Sequence, residues 1–184
     1  MLPPRLPAGK KILEPVSDWS DGARPWGIDT QRQRITEMPS TVHLHRVLTT
    51  SPEKVYRAFL EADALAKWLP PNGFTCTVHQ FEGKVGGTFK MSFRNFTNGH
   101  SHSFGGEYVE LVPGERLRYT DRFDDPNLPG EIEVTVTLKK VSVGTEVNIT
   151  QGGIPDVIPA EACYLGWQES LRNLAKLVEP EINQ

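Results

Sequence analysis

Near its end the chain reads PAEACYLGWQESLRNLAKLV, residues 159–178. Ala160, Cys163, Tyr164, Trp167, Leu171, Leu174 and Val178 recur at alternating three- and four-residue steps, which puts them on one face of a helix. Glu161, Gln168, Glu169, Arg172 and Lys176 take the other face. About 20 residues make ~30 Å of helix, enough to lie across a whole sheet. The residues before it read almost entirely as strands. One long helix over a curved antiparallel sheet either fills the space between them or leaves a pocket. Which of the two occurs decides what the protein can bind.

Working outward, the strands are marked by period-two alternation. In IEVTVTLKK, Ile132, Val134, Val136 and Leu138 alternate with Glu133, Thr135, Thr137 and Lys139, the pattern of a half-buried antiparallel strand. Phe89, Met91 and Phe93 alternate with Lys90, Ser92 and Arg94 in the same way. Six strand-like runs are expected here: Phe74–Phe81, Thr88–Arg94, His102–Val112, Arg116–Phe123, Glu131–Val141 and Thr145–Gln151. Short turns join most neighbours, at residues 83–87, at Pro113-Gly114 and at Gly144, so a meander is the economical topology. Gly86-Gly87 allows a sharp strand entry, and Glu110 can pair with Arg116 across the Pro113-Gly114 turn.

Ahead of these runs, Val42, Leu44, Arg46 and Leu48 alternate as a first strand. Ser51 then caps a helix with Pro52 at its first position and Glu53 at its positive end. Val55, Phe59 and Ala62 make its buried stripe. Asp63 can cap a second short helix through Leu69, burying Leu65 and Trp68, before PPNG breaks it. The element order is therefore β-α-α-β6-α, an α+β chain with about seven strands. Residues 1–37 differ. They are rich in Pro, Gly and charge and have no sustained period, so they read as an irregular extension to a domain over 38–184. Trp19 and Trp26 are its only candidate anchors, and Met38 looks like a natural protein start.

Six stretches in this order carry a family resemblance: SPEKVYRAF (51–59), KWLPPNGF (67–74), VGGTFKMSF (85–93), GGEYVELVPGERLRYT (105–120), GTEVNIT (144–150) and LGWQESLRNLAKLVE (165–179). Together they resemble the SRPBCC superfamily, the START-like or helix-grip fold. Within it they resemble the activator of heat-shock-protein-90 ATPase homologue family. The resemblance implies a curved antiparallel sheet wrapped around the long C-terminal helix, with a ligand cavity between them. It also implies a chaperone partner as an alternative role, and a cyclase- or hydrolase-type use of the same cavity as another.

Composition narrows the partners. The 184 residues carry 20 basic and 23 acidic side chains, a net charge of −3 with no basic stripe, so nucleic acid is an unexpected partner. No apolar run reaches the ~18 residues of a membrane span, and no signal-peptide apolar segment opens the chain. The default expectation is a cytoplasmic monomer or homodimer that binds a small hydrophobic molecule. Cys76 and Cys163 lack metal-ligand spacing and read as inert core thiols.

Catalytic and metal signatures are weak. His43 with His45, and His100 with His102, are i, i+2 pairs that can meet a zinc ion only with further ligands. No H-E-x-x-H, G-x-S-x-G, phosphate-loop or dinucleotide fingerprint occurs. Gly86-Gly87 and Gly105-Gly106 stand at strand starts, not before helices. No cofactor or metal is expected, and an enzyme is the less favoured reading. The candidate cavity residues are Trp68, Val78, Met91, Phe93, Phe104 and Tyr108, followed by Tyr119, Asp121, Ile149, Tyr164, Trp167 and Leu171. His79, His102 and Arg94 are further polar candidates, although strand parity turns His79 and Arg94 outward unless a bulge intervenes. Asp121 and Arg122, at the edge of the charged tract TDRFDDPNLPGEIE, are positioned to greet a polar group. A stripe of aromatic residues and Met is also what a filled core looks like, so both readings stand.

Overall fold

A computed structural model describes residues 40–182. The expectations for residues 1–37, including Trp19 and Trp26, lie outside them. The elements are β1 (Ser40–Leu48), α1 (Pro52–Ala58), α2 (Ala62–Trp68), β2 (Phe74–Phe81), β3 (Thr88–Asn95), β4 (Ser101–Val112), β5 (Arg116–Phe123), β6 (Ile132–Val141), β7 (Gly144–Ile154) and α3 (Ala160–Val178). All seven strands form one curved antiparallel sheet in the order β1-β7-β6-β5-β4-β3-β2. The expected meander accounts for β2 through β7, and β1 closes the far side by pairing with β7. This is the α+β helix-grip architecture, with α3 lying across the concave face.

The local chemistry explains the joints. The Ser51 hydroxyl accepts from the Lys54 N–H at 3.3 Å, with Pro52 opening α1. That helix stops at Ala58, so Ala62 belongs to the next helix and is only half-buried. Asp63 lies in the first turn of α2 and does not cap it; Glu61 holds the cap position, without a side-chain bond. At the Pro113-Gly114 turn Gly114 has φ +71° and Glu115 N–H bonds to Val112 C=O at 3.0 Å. Arg116 Nε donates to Glu110 Oε1 at 3.0 Å across that turn. Gly144 is forced by its surroundings. Its φ is +144°, and a Cβ there would stand 2.0 Å from the Leu48 carbonyl oxygen.

Sheet curvature comes from bulges, which bend a strand and raise its twist. The register shifts between Val78 and Gln80 on β2 and between Tyr108 and Glu110 on β4. Gly105-Gly106 stands in the middle of β4, not at its start. A Cβ on Gly106 would lie 1.7 Å from the Thr120 carbonyl oxygen, so only glycine permits this approach of β4 to β5.

The core is divided along α3. Its C-terminal half is packed solid, with Leu171, Leu174, Ala175 and Val178 all buried. Glu179 Oε1 accepts from Thr49 N–H at 3.1 Å and ties this end to the turn after β1. Midway, α3 is fastened to the α2–β2 loop. Ser170 Oγ donates to Leu69 C=O at 2.6 Å, Asn173 Nδ2 donates to Pro70 C=O at 3.2 Å, and Asn72 N–H donates to Glu169 Oε2 at 2.9 Å. Toward its N-terminus the helix no longer meets a filled layer.

Candidate functional site

A cavity of about 300 Å³ opens between the N-terminal half of α3 and the bent part of the sheet. Its floor is built by the inward positions of four strands: Phe89, Met91 and Phe93 on β3, Phe104 and Tyr108 on β4, Tyr119, Asp121 and Phe123 on β5, and Ile132 and Val134 on β6. Period-two geometry puts alternate residues on one face, which is why these runs contribute every second side chain. Phe59, Leu65, Leu69 and Pro71 wall one side, and Ala162, Cys163, Gly166, Trp167 and Ser170 of α3 form the roof. His102 and Ala162 line the cavity yet are exposed, and so mark its mouth.

Gly166 stands in the stretch LGWQESLRNLAKLVE quoted above, and its place in the helix is informative. A Cβ built on it finds nothing within 4 Å. The missing side chain therefore leaves cavity space and does not serve close helix–sheet contact. Beside it Trp167 is buried, and its indole Nε1 donates to Gln151 Oε1 at 2.7 Å, fixing the ring as a roof plate.

The interior is aromatic and interlocked. Phe93 and Phe104 meet edge to face at 4.8 Å between ring centres, and Tyr108, Tyr119 and Phe89 contact one another at 5.7–5.8 Å. Tyr108 Oη donates to Phe59 C=O at 2.7 Å, which satisfies its polar end. At the mouth the His102 imidazole sits among Phe74, Phe93, Phe104 and Phe123. Loss of solvent there pushes its pKa down from the ordinary histidine value.

Asp121 is the one carboxylate in this lining among the described residues. Part of the residue reaches the surface, but Oδ1 is shut off from solvent and has no hydrogen-bond partner among the described residues. Desolvation pushes the group up from 3.8 to about 7; the Arg122 backbone N–H and the Lys90 charge offset only part of that. Burial also raises Tyr119 well above the ordinary tyrosine value, reinforced by Tyr108 and by Asp121. The Cys163 thiol at the roof is likewise raised by burial, which makes it a poor nucleophile. Chemically, the site offers a greasy aromatic box, one proton exchangeable near neutrality, and a tyrosine held neutral.

Of the twelve residues expected from sequence, Met91, Phe93, Phe104, Tyr108, Tyr119, Asp121 and Trp167 line this cavity. The other five do not. Trp68 is fully buried behind Phe59, edge to face at 4.7 Å, with its Nε1 donating to Ala58 C=O. Ile149 and Leu171 belong to the packed half of the core. Val78 sits half-buried beside the β2 bulge. Tyr164 is 42% exposed. At 100° per residue it lies on the same flank of α3 as Leu171, but at this end that flank is left exposed among the described residues. Arg122 turns outward and pairs with Glu131 at 2.7 Å, so it does not greet the cavity. Arg94 is exposed, as parity requires, and His79 is exposed at the β2 bulge. His43 bonds to Thr150 and His45 to Glu146 on the outer surface.

Several lining residues went unread. Phe89 and Phe123 share strand parity with residues that were chosen, and Ile132 and Val134 stand on the inward face read for β6, so parity alone would have found them. Phe59, Leu65, Leu69 and Pro71 come from the helical hairpin, whose placement against the sheet carries no sequence signal.

Comparison with known proteins agrees with this architecture. A solved structure from Chromobacterium violaceum is similar at 60% identity with a TM-score of 0.76, covering 77% of this chain and 98% of that one. A Rhodobacter sphaeroides structure is similar at 25% identity and TM-score 0.67, covering 75% and 91%. An AHSA1-like protein from Aeromonas hydrophila, at 20% identity and TM-score 0.62 over 79% and 100%, shares the fold. A search of curated proteins finds no match. Residues 49–179 match the family model described as "Activator of Hsp90 ATPase homolog 1-like protein". The chain therefore belongs to the activator of Hsp90 ATPase homolog 1-like family.

Proposed function

We propose that this protein is a binding module for a small, mostly apolar molecule held between α3 and the sheet. The observation that carries this reading is the cavity of about 300 Å³ beneath Gly166 and Trp167, walled by aromatic and aliphatic side chains. A filled core would place a side chain at position 166; here the helix carries glycine, at a cost of ~1 kcal/mol of helix propensity relative to Ala. At interior packing density such a space holds roughly 10–15 non-hydrogen atoms.

Thermal unfolding with butylbenzene as the probe tests this. The parent melts higher when the hydrocarbon is present, and Gly166→Leu, which fills the roof, removes the shift while melting no lower by itself. A parent that shows no shift, or a variant that keeps it, sinks the reading.

The family description supports a second reading, a chaperone partner whose ATP turnover the domain alters. Turnover of a purified Hsp90-type chaperone, measured with saturating protein, decides it; an unchanged rate counts against that role.

A further inference from the structure

We infer that the molecule bound in the cavity carries a protonated amine, or an equivalent cationic donor, that docks on Asp121. This inference rests on the binding-module reading and adds the chemical class of the ligand.

The reasoning starts from hydrogen-bond supply. Buried polar atoms in folded proteins are nearly always paired, and an unpaired one calls for an explanation. Asp121 Oδ1 is such an atom. Its strand neighbours cannot serve it. On β6 its register partner is Ile132. On β4, Gly105 faces Arg122 and Tyr108 faces Tyr119, so the inward position beside Asp121 falls to Gly106, which has no side chain. Gln151, the side-chain amide in the lining, accepts from Trp167 through its oxygen, and its N–H groups make no bond to Asp121 Oδ1. Asp121 therefore lines the cavity with one oxygen, Oδ1, unpaired among the described residues, while the Arg122 backbone N–H acts on the carboxyl as well.

The surroundings select the donor's charge. A carboxylate in an apolar cavity is poorly solvated, so a cation gains more there than a neutral hydroxyl does. Tyr119, Phe104 and Phe123 line the same cavity, and aromatic rings favour a cation over their faces electrostatically. Among the described residues no lysine or arginine lines the cavity to compete for the acid. Lys90, on β3, acts on Asp121 from a distance, while its ammonium pairs with Asp124 outside. The other titratable groups in the lining are His102 and Tyr108 on β4, Tyr119 on β5 and Cys163 on α3; β6 contributes only Ile132 and Val134. His102 is held toward its neutral form and Tyr108, Tyr119 and Cys163 stay protonated, so none brings a cation. The ligand's body then lies under Trp167 and Gly166 with its charged end toward β5.

Calorimetric titration with three probes of one shape tests this: 4-phenylbutylamine, butylbenzene and 4-phenylbutyrate. At about pH 8 the amine binds roughly 10–100-fold tighter than the hydrocarbon, and the carboxylate binds weakest. Asp121→Asn abolishes the preference for the amine while keeping butylbenzene binding. In the parent, amine affinity falls roughly tenfold from about pH 8 to about pH 6 as the carboxyl takes up a proton, and butylbenzene affinity stays level. The pH series needs no variant, so it stands even if Asp121→Asn folds poorly. If butylbenzene binds but the amine binds no tighter, or its preference survives both the substitution and acid, the amine inference is overturned and the binding-module reading stands. If no probe binds at all, both fall.

Discussion

Replacing Asp121 by Asn removes a charge that the fold has desolvated, and its effect on stability should depend on pH. The folded protein holds this carboxyl at about 7, against an ordinary 3.8. A raised folded-state pKa means the native state binds the proton more tightly than the unfolded chain does. Its contribution therefore favours folding below the ordinary pKa and is lost as pH climbs through the window to about 7. At 1.36 kcal/mol per unit, the desolvated carboxyl costs the fold roughly 4 kcal/mol near pH 8, where it is ionised in both states, and about 2 kcal/mol near pH 5, where folding must first take up the proton. Asn keeps the shape of the acid but cannot ionise. Its stability relative to the parent should rise by about 2–3 kcal/mol between those pH values. The amide brings an unpaired N–H of its own, but that cost does not vary with pH and leaves the slope untouched. Urea unfolding at three pH values, followed by tryptophan fluorescence, measures the difference through the midpoints and m-values. A difference that stays constant across the range would mean that the folded state solvates the carboxyl. The orphaned acceptor, and the amine inference built on it, would then lose their basis.

Other outcomes follow from the same geometry. Trp167→Ala removes a buried roof plate and its bond to Gln151, so a loss of roughly 3–5 kcal/mol is expected in chemical unfolding; a parent-like midpoint would contradict the packing described. Tyr164→Phe touches an exposed flank of α3 and should leave both probe affinity and melting temperature within error, so a clear change in calorimetric affinity would put the ring back at the cavity. Gly144→Ala forces a Cβ to within 2.0 Å of the Leu48 carbonyl oxygen at φ +144°. Thermal melting should show a destabilisation of roughly 2–4 kcal/mol, and a neutral result would refute the close approach of β1 to the β6–β7 hairpin.

Most of the sheet was legible because its signals are local. In β6 the alternation of Ile132, Val134, Val136 and Leu138 with polar residues becomes the alternating burial of the strand, and β2 and β5 begin and end where the pattern says. The α1 cap at Ser51 and the turn at Pro113-Gly114 were readable for the same reason, since each depends on a few adjacent residues. The errors lie where distant segments decide. Gly105-Gly106 looked like a strand entry but sits mid-strand, because the constraint on Gly106 is the backbone of Thr120. Ile149 and Met91 both read as inward residues, yet one is under the packed half of α3 and the other under the open half. Parity assigns a face and says nothing of what stands opposite.

By itself the sequence determined the order of elements, the inward faces and the amphipathic closing helix, since these follow from periodicity, caps and turns within short windows; the helix-grip class came from the family resemblance of six stretches. Whether that helix fills its gap was decided only by the tertiary structure. The β2 and β4 bulges bend the sheet away from the N-terminal half of α3, and Gly166 brings no side chain to close the distance. The C-terminal half, tied down by Glu179 and packed through Leu171, Leu174 and Val178, is solid. The same helix face therefore makes core at one end and roof at the other, because filling depends on the separation between two surfaces that meet only after the chain has folded.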